Sequence, residues 1–160
     1  MLPFKKILCP TDFSGPAAEA LQRARELALH FKAKLLILHV APPVPVPYQP
    51  ITAPAPAPEL TPVFNTPSYQ LEIINSAEKA LKELIDQQIP PNIEVQALVA
   101  TGDPASEIVK LADQENVDVI VIATHGQTGW RRVVFGSVAE KVVRLAKPPV
   151  LTIRAPEETD

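Results

Sequence analysis

The residues with chemical potential are concentrated in VIVIATHGQTGWRRVVFGSVAEKVV, residues 119–143. A wholly apolar run gives way to small and polar residues around Gly126 and Gly129, and a helical pattern resumes at Gly136 and Ser137. Glycines lack a Cβ, so backbone amides beside them can approach an anion closely. Ser137 adds a hydroxyl at a helix start, where unpaired amides and the helix dipole favour negative charge. Arg131 and Arg132 supply positive charge within reach of the loop. A phosphate group would use every one of these features. The plain alternative is a strand–helix connection in which SVAE, from Ser137 to Glu140, is a capping box and Ser137 serves only its own helix.

Such a loop needs elements to hold it. Five apolar runs read as strands: KILCP ending at Pro10, LLILHV ending at Val40, IEVQALVA ending at Ala100, VDVIVIA ending at Ala123 and VLTIR ending at Arg154. Several are β-branched and nearly continuous, the pattern of strands covered on both faces. Helical stripes lie between them. Ala17, Ala20, Leu21, Ala24, Leu27, Ala28 and Phe31 share one face, with Ser14 as N-cap and Pro16 just inside. Leu71, Ile74, Ala77, Leu81, Leu84 and Ile85 form a second stripe that ends before Pro90. A third helix opens with Asp103 as cap and Pro104 in its first turn, and a fourth runs from about Val138 to Ala146. Strict alternation of strand and helix predicts an α/β domain with a mainly parallel sheet. In such open sheets ligands bind at the carboxyl ends of strands where the strand order reverses. If strands 1 and 4 are neighbours, the segments from Pro10 to Ser14 and from Ala123 to Gly129 meet there.

Composition narrows the function classes. The chain of 160 residues is long enough for one domain with a full core. A net charge of −3 gives no basic footprint for nucleic acid or for an anionic membrane surface. Cys9 is the single cysteine, inside an apolar run, and reads as a core thiol. No apolar stretch reaches the roughly 18 residues of a membrane span, and the apolar run near the start is too short for a signal-peptide core. The cytoplasm is the expected compartment. Ten of the 19 prolines lie between Pro42 and Pro67. That segment, residues 41–67, reads as an extended excursion inserted in the domain, because proline removes amide donors and fixes φ. Since it leaves the carboxyl end of strand 2, it could also act as a flap over the same rim.

Taken in order, KKILCPTDFS, LLILHV, TGDPASEIV, the glycine loop and KPPVLTIR resemble the universal stress protein family, specifically its ATP-binding branch. The family signature is Gly, two residues, Gly, nine residues, Gly, then Ser or Thr. Gly126 matches the second glycine, QTGWRRVVF supplies the nine residues, and Gly136-Ser137 completes the pattern. Ala123 stands where the first glycine would be. The resemblance covers nearly everything except residues 41–67. It implies an open, doubly wound, Rossmann-like sheet of five parallel strands in the order 3-2-1-4-5, with four helices, of the adenine nucleotide alpha hydrolase-like type.

The resemblance also implies a site for ATP, with Mg2+, across strands 1 and 4. Asp12, beside Pro10 and Thr11, looks like the acid near ribose and adenine; its other role would be to cap the turn before the first helix. Val40 would read adenine with its backbone groups and apolar side chain. Gly102 resembles a position near the ribose, though a turn glycine would serve equally there. Ala123, Thr124, Gly126, Gly129, Arg131, Gly136, Ser137 and Val138 would surround the phosphates, and His125 would either face them or pack. His30 and His39 lack partners at metal-ligand spacing and read as structural. There is no P-loop, serine elbow, cysteine–histidine nucleophile pattern or zinc-protease motif. The reading is therefore an ATP-binding stress or signalling protein whose nucleotide state alters its associations. A slow ATPase or phosphotransferase and a nucleotide-free dimerising scaffold stand as alternatives. A homodimer is expected through the last strand, with Val150, Leu151 and Ile153 supplying apolar faces.

Overall fold

The structure, a computed structural model, describes residues 2–43, 66–124 and 136–154. Five strands and four helices alternate: β1 (Lys6–Pro10), α1 (Gly15–Phe31), β2 (Lys34–Ala41), α2 (Thr66–Gln88), β3 (Val95–Thr101), α3 (Pro104–Gln114), β4 (Val119–Ala123), α4 (Ser137–Leu145) and β5 (Val150–Ile153). The sheet runs β3-β2-β1-β4-β5 and every pair is parallel. Its register sets Pro10 opposite Leu38 and Ile7 opposite Val119. The chain winds outward in both directions from β1, so the β1/β4 seam is where strand order reverses.

Period-two alternation divides the core in two. Ile7, Cys9, Leu35, Ile37, Val119 and Val121 point to one face, where Ala20, Leu21, Ala24 and Ala28 of α1 and Leu81 of α2 cover them. Leu8, Leu36, Leu38, Ile120 and Ile122 point to the other, under Ile108 and Ala112 of α3 and Ala139 and Val142 of α4. The buried stripe of α1 is mostly alanine, which lets that helix lie close over the strands. Leu21, 1% exposed, is the large side chain in it, and its truncation to alanine would cost about 2–5 kcal/mol. Cys9 is fully enclosed, and loss of water pushes its thiol pKa up to about 12, so it is an inert core residue.

The caps explain where two helices begin. Ser14 is the N-cap of α1 and its Oγ accepts from the Ala17 N–H at 3.3 Å; Asp103 is the N-cap of α3 and its Oδ2 accepts from the Ser106 N–H at 3.1 Å. The Ser106 hydroxyl, then its amide, hold the Asp103 carboxyl below the usual carboxylate range. One expectation is corrected at α2. Leu71 does not join the buried stripe but is 58% exposed, with Tyr69 nearby also exposed. A helix of 23 residues is about 35 Å long, whereas a seven-residue strand spans about 23 Å, so α2 outruns the β3 it covers. Most of the proline-rich segment lies outside the described residues.

Candidate functional site at the carboxyl rim of β1 and β4

After Pro10 the backbone of β1 turns sharply. Thr11, 7% exposed, donates its N–H to the Leu38 carbonyl at 2.8 Å and accepts the Phe13 N–H on Oγ1 at 3.1 Å. Asp12 Oδ1 accepts the Ser14 N–H at 3.0 Å and also the Ser14 hydroxyl. Phe13 holds φ at 63°, in the left-handed region that bulky residues avoid. Thr11, Asp12 and Ser14 thus brace the turn with their own side chains and lead directly into α1.

The second wall comes from β4 and α4. Thr124, 6% exposed, donates its N–H to Ile153 of β5 at 2.9 Å, and its carbonyl accepts the Gly136 N–H. That bond closes the chain segment between residues 124 and 136 at its base. Gly136 is the N-cap of α4 at φ −70° and ψ 150°, with no side-chain cap, and Ser137 is the first helical residue. Glu140 N–H therefore bonds the Gly136 carbonyl, at 3.0 Å, to open the helix. Ser137 is not the N-cap, so the capping box centred on it does not form. The shift is small in sequence but matters chemically, because it leaves the start of α4 without a hydroxyl cap from its own N-cap residue.

Between these walls lies a cleft of about 280 Å3. Pro10, Thr11 and Asp12 line it from the β1 side, Val40 from β2, and Ala123 and Thr124 from β4, while Gly136, Ser137 and Val138 close it at α4. Nine of the fourteen residues expected from sequence thus meet around one space. Gly102 is not among the lining residues. Its φ of 144° and its N–H bond to the Ala41 carbonyl at 3.2 Å account for glycine there, since few other residues adopt that backbone. His125, Gly126, Gly129 and Arg131 lie outside the described residues. Sequence reasoning missed the cleft floor: Ala17, Leu38, Pro104, Ile108, Ile122 and Ala139. The strand alternation that pairs Leu38 with Val40 on one face held the signal for Leu38.

The chemistry of the cleft is divided. Its depth, at Leu38, Ile108 and Ile122, is apolar and suits a flat ring; its rim, at Thr11, Asp12, Thr124 and Ser137, is polar. Asp12 is the one ionisable side chain lining it among the described residues. The amino end of α4 brings the positive end of a helix dipole to the same rim.

Residues 3–154 match the sequence profile of the universal stress protein family. The chain belongs to that family. A universal stress protein of Methanocaldococcus jannaschii is 32% identical over 158 residues, covering 94% of this chain and 95% of its own. Among solved structures, the universal stress protein UspA from Lactobacillus plantarum superposes with a TM-score of 0.74 at 24% identity, over 96% of this chain and all of that one. Two further universal stress proteins were solved with nucleotides. One, in complex with cAMP, has a TM-score of 0.57 at 23% identity, over 94% of this chain and 97% of its own. The other, from Arabidopsis thaliana with AMP bound, has a TM-score of 0.55 at 19% identity, over 98% of this chain and 95% of its own.

Proposed function

We propose that this universal stress protein binds an adenine nucleotide, ATP with Mg2+, in the cleft between β1 and β4. The observation that carries the reading is the start of α4. It opens onto the cleft at the seam where strand order reverses, it has no side-chain cap, and Ser137 stands at its first position. Helix amides in such a place, with no cap from the N-cap side chain, suit an anion. The adenine would occupy the apolar depth near Val40 and Ile108, the ribose the rim at Asp12, and the phosphates the α4 start. Gly126 and Gly129 would add backbone amides, Arg131 would add charge, and His125 would stand beside them. For Mg2+, Asp12 is the one carboxylate of the described lining, so the ion would be held chiefly by the phosphates. Family members solved with cAMP and with AMP support this class of ligand. The test is to purify the protein, denature it and analyse the small molecules released. Co-purifying ATP or another adenine nucleotide supports the reading; protein free of any nucleotide, which also takes up none on addition, removes it.

The nucleotide would act through a homodimer. β5 is an edge strand of four residues, and Leu151 on it is exposed, as are Val143 and Leu145 of α4. An apolar edge of this kind is a hazard unless paired, and a second copy of β5 would pair it through Val150, Leu151 and Ile153. Sedimentation should give a dimer at micromolar concentration. In β5 the amides of Leu151 and Ile153 face β4 and that of Thr152 faces the free edge, so Thr152→Pro, which removes an edge donor and leaves the β4 ladder intact, should shift the protein to monomer.

A further inference from the structure

β2 presents Leu36 and Leu38 to the α3/α4 side of the sheet and Leu35 and Ile37 to the α1/α2 side. His39 follows in the second set by alternation, so it stands behind the cleft and does not line it. From there its Nδ1 lies 2.9 Å from the Thr11 carbonyl oxygen. A carbonyl only accepts, so Nδ1 carries the proton and donates. The same imidazole packs on the Phe13 ring, with centroids 4.6 Å apart and planes inclined at 38°. His39 therefore touches both neighbours of Asp12: the residue before it through a hydrogen bond, and the residue after it, held at φ 63°, through ring contact.

We propose that His39 is a positioning residue for the nucleotide cleft, fixing the Thr11–Asp12 peptide and so the direction of Asp12. The only cis peptide among the described residues is Leu2–Pro3, so the Thr11–Asp12 peptide is trans. In a trans peptide the carbonyl and the following N–H point in opposite directions. Drawing the Thr11 carbonyl back toward His39 therefore turns the Asp12 N–H toward the cleft rim. Without the donor, nothing on the β2 side chains holds that carbonyl, and the peptide can rotate. Asp12 then swings with it.

This inference rests on the nucleotide reading of the cleft, and the test separates the two. His39→Phe keeps a ring against Phe13 but loses the donor. His39→Asn loses the ring but places an amide nitrogen where Nδ1 stood, one bond from Cγ. Calorimetric titration with Mg2+ and ATP, on variants shown by thermal unfolding to be folded, reads the difference. Affinity should fall about tenfold or more in His39→Phe, the effect of losing one well-placed hydrogen bond, and stay within about threefold of the parent in His39→Asn. Unchanged affinity in His39→Phe overturns the proposal while leaving nucleotide binding in place. So does a His39→Asn variant as weak as His39→Phe, because ring packing would then be the role. Should His39→Phe not fold, His39→Asn decides alone: affinity within about threefold upholds the donor role, and a loss of tenfold or more overturns it. A parent protein that binds no nucleotide removes both readings together.

Discussion

At the start of α1 a hydroxyl from the chain itself, Ser14 Oγ, accepts the Ala17 N–H, whereas at the start of α4 the N-cap is Gly136, which has no side chain to close the turn. Both helices begin on the carboxyl rim of the sheet, and both contribute to one cleft, through Ala17 and through Ser137. α3 sides with α1, since Asp103 caps it. Two of three neighbouring helix starts are thus capped by the side chain of their own N-cap residue, while the N-cap of the third has no side chain to offer. The difference is what favours α4 for the proposed anion site. Rim position alone would suit any of the three helices, but of these three only α4 combines that position with an N-cap that has no side chain.

The sharpest way to break this contrast is to make α4 resemble α3. Gly136→Asp is compatible with the backbone, because φ −70° and ψ 150° are open to any residue. Its carboxylate would cap the helix, adding a few tenths of a kcal/mol to stability, and would occupy the phosphate position with like charge. Nucleotide affinity should fall more than about a hundredfold, on calorimetric titration, in a protein that unfolds no earlier than the parent.

Ser137→Ala should do less. It removes one hydroxyl but leaves the α4 amides, and a hydrogen bond to a charged partner is worth about 1.5–3 kcal/mol, or roughly ten- to a hundredfold in affinity. Since Ser137 is the first helical residue and not the cap, its thermal unfolding should match that of the parent. The reverse pattern, lower stability with full affinity, would assign the hydroxyl to the helix.

Ser14→Ala is the complementary change. Here the hydroxyl belongs to the fold, so about 0.5–2 kcal/mol of stability should be lost, visible in denaturant unfolding, with a smaller effect on affinity than Ser137→Ala has. Smallest of all should be Asp103→Ala, whose effect is pH-dependent. The Asp103 carboxyl is held below its usual range when folded, so its stabilisation is present above the unfolded value and disappears as pH falls through the folded one. Unfolding midpoints of parent and variant should therefore differ at neutral pH and converge in acid.

These predictions also mark what could be read from the sequence. Caps at Ser14 and Asp103 were legible because each sits directly before a proline-bearing first turn. The strand order followed from apolar runs and the family signature together. Ser137 was harder: glycine and serine are both good N-caps, so Gly136-Ser137 allows either start, and only the backbone bond from Glu140 to Gly136 decides it. The floor of the cleft at Leu38, Ile108 and Ile122 looked like ordinary core because an apolar floor and an apolar core have the same composition. The His39–Thr11 bond could not be anticipated, since it depends on the β1/β2 register that sets Pro10 opposite Leu38. Leu71 was misplaced because a periodic stripe shows which face is apolar, not how far the sheet beneath it extends.

The central claim is that the open start of α4 holds the phosphates of a nucleotide, and one titration tests it most directly. Parent protein, stripped of bound small molecules and verified as folded, is titrated with Mg2+ and ATP beside Gly136→Asp under the same conditions. The account predicts saturable heat from the parent and none from the variant. Absence of heat from the parent at millimolar ATP, or equal binding by both proteins, would contradict it.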